Sequence, residues 1–159
     1  MMIYKMAGAL ILSLSGILCA AHLNRRAERR LREISGWIAL LRFSKLQVEC
    51  FSLPMGEILA RCDAQILSDC GYIGQIAPRS FEDLLSASVL CDGETESIVR
   101  GFCEEFGRGY REEQTRAFDY YLSMLESRRK LWNEKLPARK KMNATLSICA
   151  ALAIVLLLL

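Results

Sequence analysis

The sequence predicts an all-α protein, an antiparallel bundle of about five to six helices with a further helix of membrane-spanning length at each end. Apolar residues recur at intervals of three and four, and no alternating pattern is long enough for a strand. All 18 Asp and Glu, and all Lys and Arg except Lys5, lie within residues 24–141. The chain therefore divides into this charged helical domain, an amino-terminal transmembrane helix at 1–23 and a carboxyl-terminal transmembrane helix at 142–159.

The amino-terminal segment Met6–Leu23 carries no charge when His22 is neutral. Its 18 residues would span about 27 Å as a helix, close to the hydrocarbon thickness of a bilayer. A cleaved secretion signal also has a short apolar run after a lysine. We favour a retained anchor, because dense positive charge resists translocation and five arginines follow directly: Arg25, Arg26, Arg29, Arg30 and Arg32.

The carboxyl-terminal segment Met142–Leu159 is the second predicted span, and its positive flank precedes it: Lys130, Lys135, Arg139, Lys140 and Lys141. One topology satisfies the charge rule at both ends, with the termini outside and residues 24–141 in the cytoplasm. In this topology Leu159 lies at the outer face of the membrane, and little of the chain is expected to act on that side. A buried core helix is the alternative for either end.

Seven basic residues are predicted to flank the membrane: Arg25, Arg26, Arg29, Arg30, Arg139, Lys140 and Lys141. Besides fixing topology, such charges could bind anionic lipid headgroups, at about 1 kcal/mol each, or hold an acidic partner. We expect topology and lipid anchoring ahead of partner capture. Nucleic acid is not an expected partner, because the middle domain is close to charge-balanced.

The first cytoplasmic helix is predicted over residues 25–51, continuous with the first span. Its apolar residues form a single buried stripe: Leu31, Ile34, Ile38, Leu41 and Val48. Ser52 and Pro54 separate it from a second helix, which is expected to run to about Cys62. Residues 69–79 contain two glycines and a proline and are expected to form a loop.

Three further elements follow that loop. Ser80 is predicted to cap a short helix, with Asp83 three residues on. An Asp-Gly pair then precedes a helix over 94–106, and "GRG" at 107–109 predicts a turn. The last helix runs into the second span, with Pro137 expected to kink or interrupt it. Its apolar residues are at helical spacing: Phe118, Tyr121, Leu125 and Trp132.

Reactive clusters are not found in the sequence. The only histidine, His22, lies at the predicted membrane boundary, so the cytoplasmic domain lacks a histidine acid or base. The seven cysteines form no C-x-x-C pair and are expected to be small buried hydrophobes in a reducing compartment. Adjacent carboxylates such as Glu104 and Glu105 point in different directions on a helix. We therefore expect no catalytic residue, no cofactor, no metal and no enzymatic activity.

The order of these features resembles the stage III sporulation protein AB family of endospore-forming bacteria. The resemblance covers nearly the whole chain: the amino-terminal span, the arginine-rich start of the first helix, "LREISGWIALLRFSKLQVECFSLPMGEIL" with its leucine-proline break, and "FCEEFGRGYREEQTRAFDYYLSMLE" leading to the second span. The most specific piece is the Phe106-Gly107 break followed by Gln114 and a long charged helix.

The resemblance implies a component of the complex that joins mother cell and forespore, located in the mother-cell membrane around the forespore. The family's cytoplasmic domain is similar to one in the platform protein of type II secretion and type IV pilus machines. It implies a membrane scaffold that docks a secretion-type ATPase on the cytoplasmic side and contacts other membrane components of the complex.

Two other classes stay open from the residues alone. An accessory or conduit subunit of a small-molecule transporter would show a polar or ionisable stripe in its spans, and these contain only scattered Ser, Thr and Asn. A membrane-tethered enzyme would need a pocket built from carboxylates and cysteines of the middle domain.

Overall fold

The computed structural model describes the backbone of residues 2–51, 53–106 and 111–158. Side chains are described throughout these ranges except at 2–7, 9–13, 111, 151, 152 and 154–158. Within the described backbone the chain forms six α-helices and no strand: α1 Met2–Phe51, α2 Met55–Ala60, α3 Ala64–Asp69, α4 Phe81–Ser86, α5 Gly93–Glu105 and α6 Arg111–Leu158. The predicted all-α class is confirmed, and the turn predicted at 107–109 lies outside the described residues.

The helices are grouped into two compact units. Unit 1 contains Met1–Glu28 and Asn133–Leu159, which are the outer parts of α1 and α6. Unit 2 contains Arg29–Trp132, with the inner parts of the same two helices and all of α2 to α5. Each unit is described separately below.

In unit 2, helix α1 buries a wider face than the sequence predicts. Ile34, Ile38, Leu41 and Val48 are buried as expected, and Leu31 is half-buried. The predicted stripe is therefore present, but Trp37, Leu40 and Ser44 are buried as well. Trp37 and Ser44 each follow a buried residue of the stripe by three positions and lie on the same face, and Leu40 widens that face.

The short helices of unit 2 begin at polar residues that bind the first free backbone amides. The Ser80 hydroxyl accepts from the Asp83 amide at 3.0 Å, as predicted. Asp63 caps α3 and Asp92 caps α5 in the same way. Helix α2 starts after Pro54 without a side-chain cap, and it ends at Ala60. Helix α3 was not predicted from the sequence, and it lies between α2 and the predicted loop.

An aromatic cluster joins α4, α5 and α6 in the core of unit 2. Phe102 lies 5.0 Å from Phe81, 5.1 Å from Phe118 and 5.6 Å from Tyr121, measured between ring centroids. Edge-to-face and tilted aromatic pairs of this kind add about 0.5–1.5 kcal/mol each beyond the area they bury. The aromatic residues predicted from helical spacing therefore do form the core.

Close backbone approach fixes how α1 packs on α3. A Cβ at Gly36 would lie 2.6 Å from the Asp69 carbonyl carbon and 2.7 Å from the Cys70 amide nitrogen. These are main-chain atoms, which cannot move aside as a flexible side chain can. Only glycine therefore fits at this point of α1.

In unit 2, α1 and α6 run antiparallel to one another. Lys45 of α1 pairs with Asp119 of α6 at 2.5 Å, and Arg42, nearer the start of α1, pairs with Glu126, further along α6. The predicted antiparallel arrangement of the first and last helices is confirmed here.

Helix α6 continues through Pro137. Of the two outcomes expected at Pro137, interruption does not occur, and a kink stays a prediction. A proline inside a helix removes one amide donor and crowds the carbonyl four residues earlier, but flanking turns can keep the helix intact.

Candidate functional site

Unit 1 is an antiparallel pair of helices held by polar contacts. The Asn143 side-chain amide donates to the side-chain oxygen of Asn24 at 3.1 Å, and the Lys140 ammonium contacts the Glu28 carboxylate at 2.5 Å. Nearer the chain ends, a Cβ on Gly16 would lie 3.5 Å from the Ser147 carbonyl oxygen. Residues nearer the amino terminus of α1 therefore contact residues nearer the carboxyl terminus of α6, as in an antiparallel pair.

This pairing brings the two positive flanks of the sequence to the same level of unit 1. Five of the seven predicted membrane-flanking residues lie here, and we call them the basic cluster: Arg25, Arg26, Arg139, Lys140 and Lys141. Arg25, Arg26 and Lys141 are exposed and form no ion pair with a described residue. Lys140 is paired with Glu28. The cluster therefore retains an excess of solvent-exposed positive charge.

The other two predicted residues belong to unit 2 and have other partners. Arg29 is exposed but donates through Nε to the Glu33 carboxylate at 3.0 Å. The guanidinium of Arg30 lies over the Trp132 ring, 5.3 Å from its centroid. Arg29 and Arg30 therefore contribute contacts within unit 2.

Between the basic cluster and the chain ends, the described part of unit 1 exposes its large apolar side chains and buries small ones, which is the reverse of a soluble helix pair. Large apolar side chains point outward, Leu18 being 63 % exposed; others on the outer surface are Leu14, Ile17, Leu146 and Ile148. Ala20 is buried, and Gly16 and Ser147 meet between the helices. Small residues between helices with large apolar residues outside are typical of helix pairs in lipid, whereas soluble helices bury their large apolar residues.

No helix meets the length and hydropathy expected of a membrane span when only the described residues are counted. The predicted spans at 6–23 and 142–159 lie partly outside those residues, because the side chains of 6, 7, 9–13, 151, 152 and 154–159 are not described.

A buried ionic network lies in unit 2, between α1, α5 and α6. Glu33 of α1 is only 3 % exposed, and its carboxylate accepts from Arg29 and from the Cys91 backbone amide at 2.8 Å. Asp92, the next residue, caps α5 and binds Arg128 of α6 through Nη2 at 3.1 Å and Nε at 3.2 Å. Arg128 also pairs with Glu94. The start of α5 is therefore held from both long helices.

Hydrogen bonding decides the ionisation of Asp92. Its burial alone would raise the pKa of the carboxyl, but hydrogen bonds from Arg128 and Thr95, together with the charge of Arg128, lower it below the ordinary value of 3.8. The carboxylate therefore stays ionised at neutral pH and serves as a structural anion.

The indole of Trp132 stacks with two guanidinium groups. Arg30 lies 5.3 Å and Arg128 5.7 Å from the ring centroid, which is within the range of cation–π attraction. From the sequence, Trp132 was predicted only as an apolar residue at helical spacing, and no role was predicted for Arg128. The available signal was a buried tryptophan one helical turn after an arginine, but nothing in the sequence indicated that Asp92 would meet them.

The cysteines are all free thiols, and two of those in unit 2 are buried as predicted. Burial raises the pKa of the Cys103 thiol to about 12 and that of the Cys70 thiol well above its ordinary value. Cys62 and Cys91 are half-buried, and Cys50 is exposed, so the prediction of buried cysteines was wrong for Cys50. No group of three His, Cys, Asp or Glu in the described part of the chain is placed to hold a metal ion.

The fold and these surfaces define a class: an all-α protein with one unit that is an antiparallel helix pair and a second unit that is a small helical bundle. The chain belongs to the stage III sporulation protein AB family, whose model matches residues 5–159. No curated protein and no solved structure matches it. The similarity to secretion platform proteins stays a prediction.

Proposed function

We propose that the protein is a non-enzymatic, two-span membrane scaffold of the stage III sporulation complex. In this proposal unit 1 lies in the mother-cell membrane around the forespore, and unit 2 lies in the cytoplasm. There it docks a secretion-type ATPase and contacts other membrane components of the complex. Membership of the sporulation family supports the cellular context.

The observation that carries the membrane part is the arrangement of unit 1. Outward-facing Leu14, Ile17 and Leu18 would cost free energy in water, at about 25 cal/mol for each Å² of exposed apolar surface, and would be accommodated by lipid. The basic cluster lies at the inner end of this surface, where positive charge meets the headgroups of the cytoplasmic leaflet.

The internal use of charge in unit 2 supports a structural role. Glu33 of α1 accepts from the backbone amide of Cys91, just before α5, and Asp92 at the start of α5 pairs with Arg128 of α6. These buried charged groups hold the helices in fixed positions, as a docking platform requires. The thiols of Cys70 and Cys103 are protonated at neutral pH and are poor nucleophiles.

Reporter insertion tests the topology. A reporter that is active only in the cytoplasm should work in the loop at 71–79 and fail when fused after Leu159. The reverse pattern would contradict the orientation. Activity at both positions would contradict the second span.

Affinity capture from sporulating cells in mild detergent tests the scaffold role. Recovery of the secretion-type ATPase with the full-length protein is the expected result. Recovery of solute-transport subunits alone would favour the transporter alternative and overturn the scaffold.

A charge-reversed basic cluster, with Arg25 and Arg26 changed to Glu, should lose membrane insertion in the proposed orientation.

A further inference from the structure

An open pocket of about 320 Å³ with a mixed polar and apolar lining lies in unit 2 between α2, α3 and the loop that follows α3. Its lining includes Leu59 of α2, Leu67 of α3, and Tyr72 and Ile76 of the loop. The volume is at the lower limit of small-molecule sites, which range from about 300 to 1,000 Å³. It is sufficient to receive apolar side chains of another protein.

The loop beside the pocket is held in place by hydrogen bonds. The Ile73 amide donates to the Ala87 carbonyl at 3.1 Å, and the Val89 amide donates to the Gly71 carbonyl at 3.0 Å. The Tyr72 hydroxyl closes the loop by donating to the Ile76 carbonyl. The conformation is therefore set by specific contacts on both sides of the loop.

This fixed loop holds two isoleucines out in water. Ile76 is 82 % exposed and Ile73 is 70 % exposed, the highest values among the large apolar side chains that the structure describes. Because they adjoin the pocket, the apolar surface extends beyond the cavity itself. A small molecule inside the pocket would leave this extension uncovered, whereas a protein segment would cover it.

Charge indicates the chemistry of the occupant. Residues 62–79 contain two carboxylates, Asp63 and Asp69, and one basic residue, the exposed Arg79. Neither carboxylate forms an ion pair with a described residue. The adjacent Arg61 is already paired with Glu57. Asp63 and Asp69 together outweigh the single charge of Arg79, so an excess of negative charge lies beside the pocket, and a positively charged partner segment complements it.

We infer that this pocket and the loop at 71–77 are the docking site for an apolar segment of a partner protein that is flanked by Lys or Arg. The inference rests on the proposed function and deepens it, because it names the surface by which unit 2 holds the ATPase. An apolar side chain of the partner fills the pocket, the two isoleucines pack beside it, and Asp63 and Asp69 bind the flanking cations.

A binding measurement with matched variants tests the site. The full-length protein in detergent micelles is titrated with the purified ATPase of the complex. Ile76→Asp should weaken binding at least tenfold. Leu46→Asp is the control, because Leu46 is also exposed in unit 2, at 58 %, but lies on α1 and does not line the pocket. It should bind as the unaltered protein does.

The negative charge beside the pocket has its own test. Asp63→Asn with Asp69→Asn should weaken binding and reduce its dependence on salt, since fewer charge pairs are screened. Asn at position 63 can still cap α3, so the helix is retained. A double variant that binds with unaltered affinity and salt dependence would overturn the assignment of a basic partner segment.

Cys62 supplies a second readout without mutation, since it lines the pocket. Its labelling by a maleimide, followed by mass spectrometry, should slow when the ATPase is bound, while labelling of exposed Cys50 should not change. Equal labelling of Cys62 with and without the ATPase would contradict occupation of the pocket.

The outcomes separate the two proposals. If the unaltered protein does not bind the ATPase, the proposed function fails, and the docking site fails with it. If it binds and Ile76→Asp binds equally well, the docking site alone is wrong. If Ile76→Asp abolishes self-association in analytical ultracentrifugation while ATPase binding persists, the occupant is a second copy and the inference is overturned.

Discussion

Arg128 of α6 and Asp92 at the start of α5 form a two-pronged ion pair in which Nη2 and Nε lie 3.1 and 3.2 Å from the carboxylate oxygens. Both side chains are largely removed from water, at 15 % and 10 % exposure. Planar pairing of this kind is stronger than a single hydrogen bond. It joins the beginning of α5 to the long last helix of unit 2.

Replacing Arg128 by Ala should destabilise unit 2, because the carboxylate of Asp92 would stay in a partly buried site without its partner. Loss of one member of a largely buried pair costs about 3 kcal/mol. Thermal unfolding of the full-length protein in mild detergent, followed by circular dichroism, measures the effect. Arg100→Ala is the control, because its pair with Glu96 is exposed and should cost less than about 1 kcal/mol.

Acid should weaken the same contact. The pKa of Asp92 lies below 3.8 in the folded protein, so the folded state favours the ionised form. The stabilisation by ionised Asp92 is complete at a pH above the pKa of this carboxyl in the unfolded chain. It is lost as the pH falls through the lower pKa of the folded protein. Unfolding curves recorded across this acid range should show the loss. Asp92→Asn should be less stable at neutral pH and lack this part of the pH dependence; an unchanged profile would contradict the role assigned to Asp92.

Gly36→Ala should strongly destabilise unit 2, since its Cβ would lie 2.6 Å from a backbone carbon of Asp69. Forced overpacking costs about 1–3 kcal/mol, and a rigid main chain places this site at the upper end. Gly93→Ala is the matched control, because nothing lies within 4 Å of an added Cβ there. That variant should be neutral or gain about 0.4–1 kcal/mol through the unfolded chain. Equal unfolding temperatures for the two variants would contradict the close packing of α1 on α3.

The helix pair of unit 1 can be tested by cross-linking. In a background without Cys19 and Cys149, the double variant Asn24→Cys with Asn143→Cys should form a disulfide on mild oxidation, because the native side chains meet at 3.1 Å. Leu14→Cys with Asn143→Cys should not, since Leu14 lies about 15 Å further along α1. Gel mobility after oxidation distinguishes the two. Cross-linking of the second pair in place of the first would contradict the register of unit 1.

Local sequence patterns predict helix ends well where a side chain bonds to the backbone a few residues away. The cap at Ser80 needed only a polar side chain before an apolar periodic run, and it is present; the Asp-Gly pair at 92–93 was predicted as a break, and Asp92 proves to cap α5 as well. The breadth of the buried face of α1 was not predictable in this way. Trp37 and Leu40 are buried because other helices pack on that side, and their positions depend on contacts far along the chain.

The sequence by itself determined the all-α class, the Ser80 cap, much of the apolar core and the separation of charged from uncharged segments, because each follows from spacing and composition along the chain. Only the tertiary structure decided which charges meet. It placed Arg25 and Arg139 at one level of unit 1, and it joined Glu33 to the backbone of Cys91 and Asp92 to Arg128. These contacts link residues distant in sequence, so they arise only when the chain folds back and burial selects the partner for each ion.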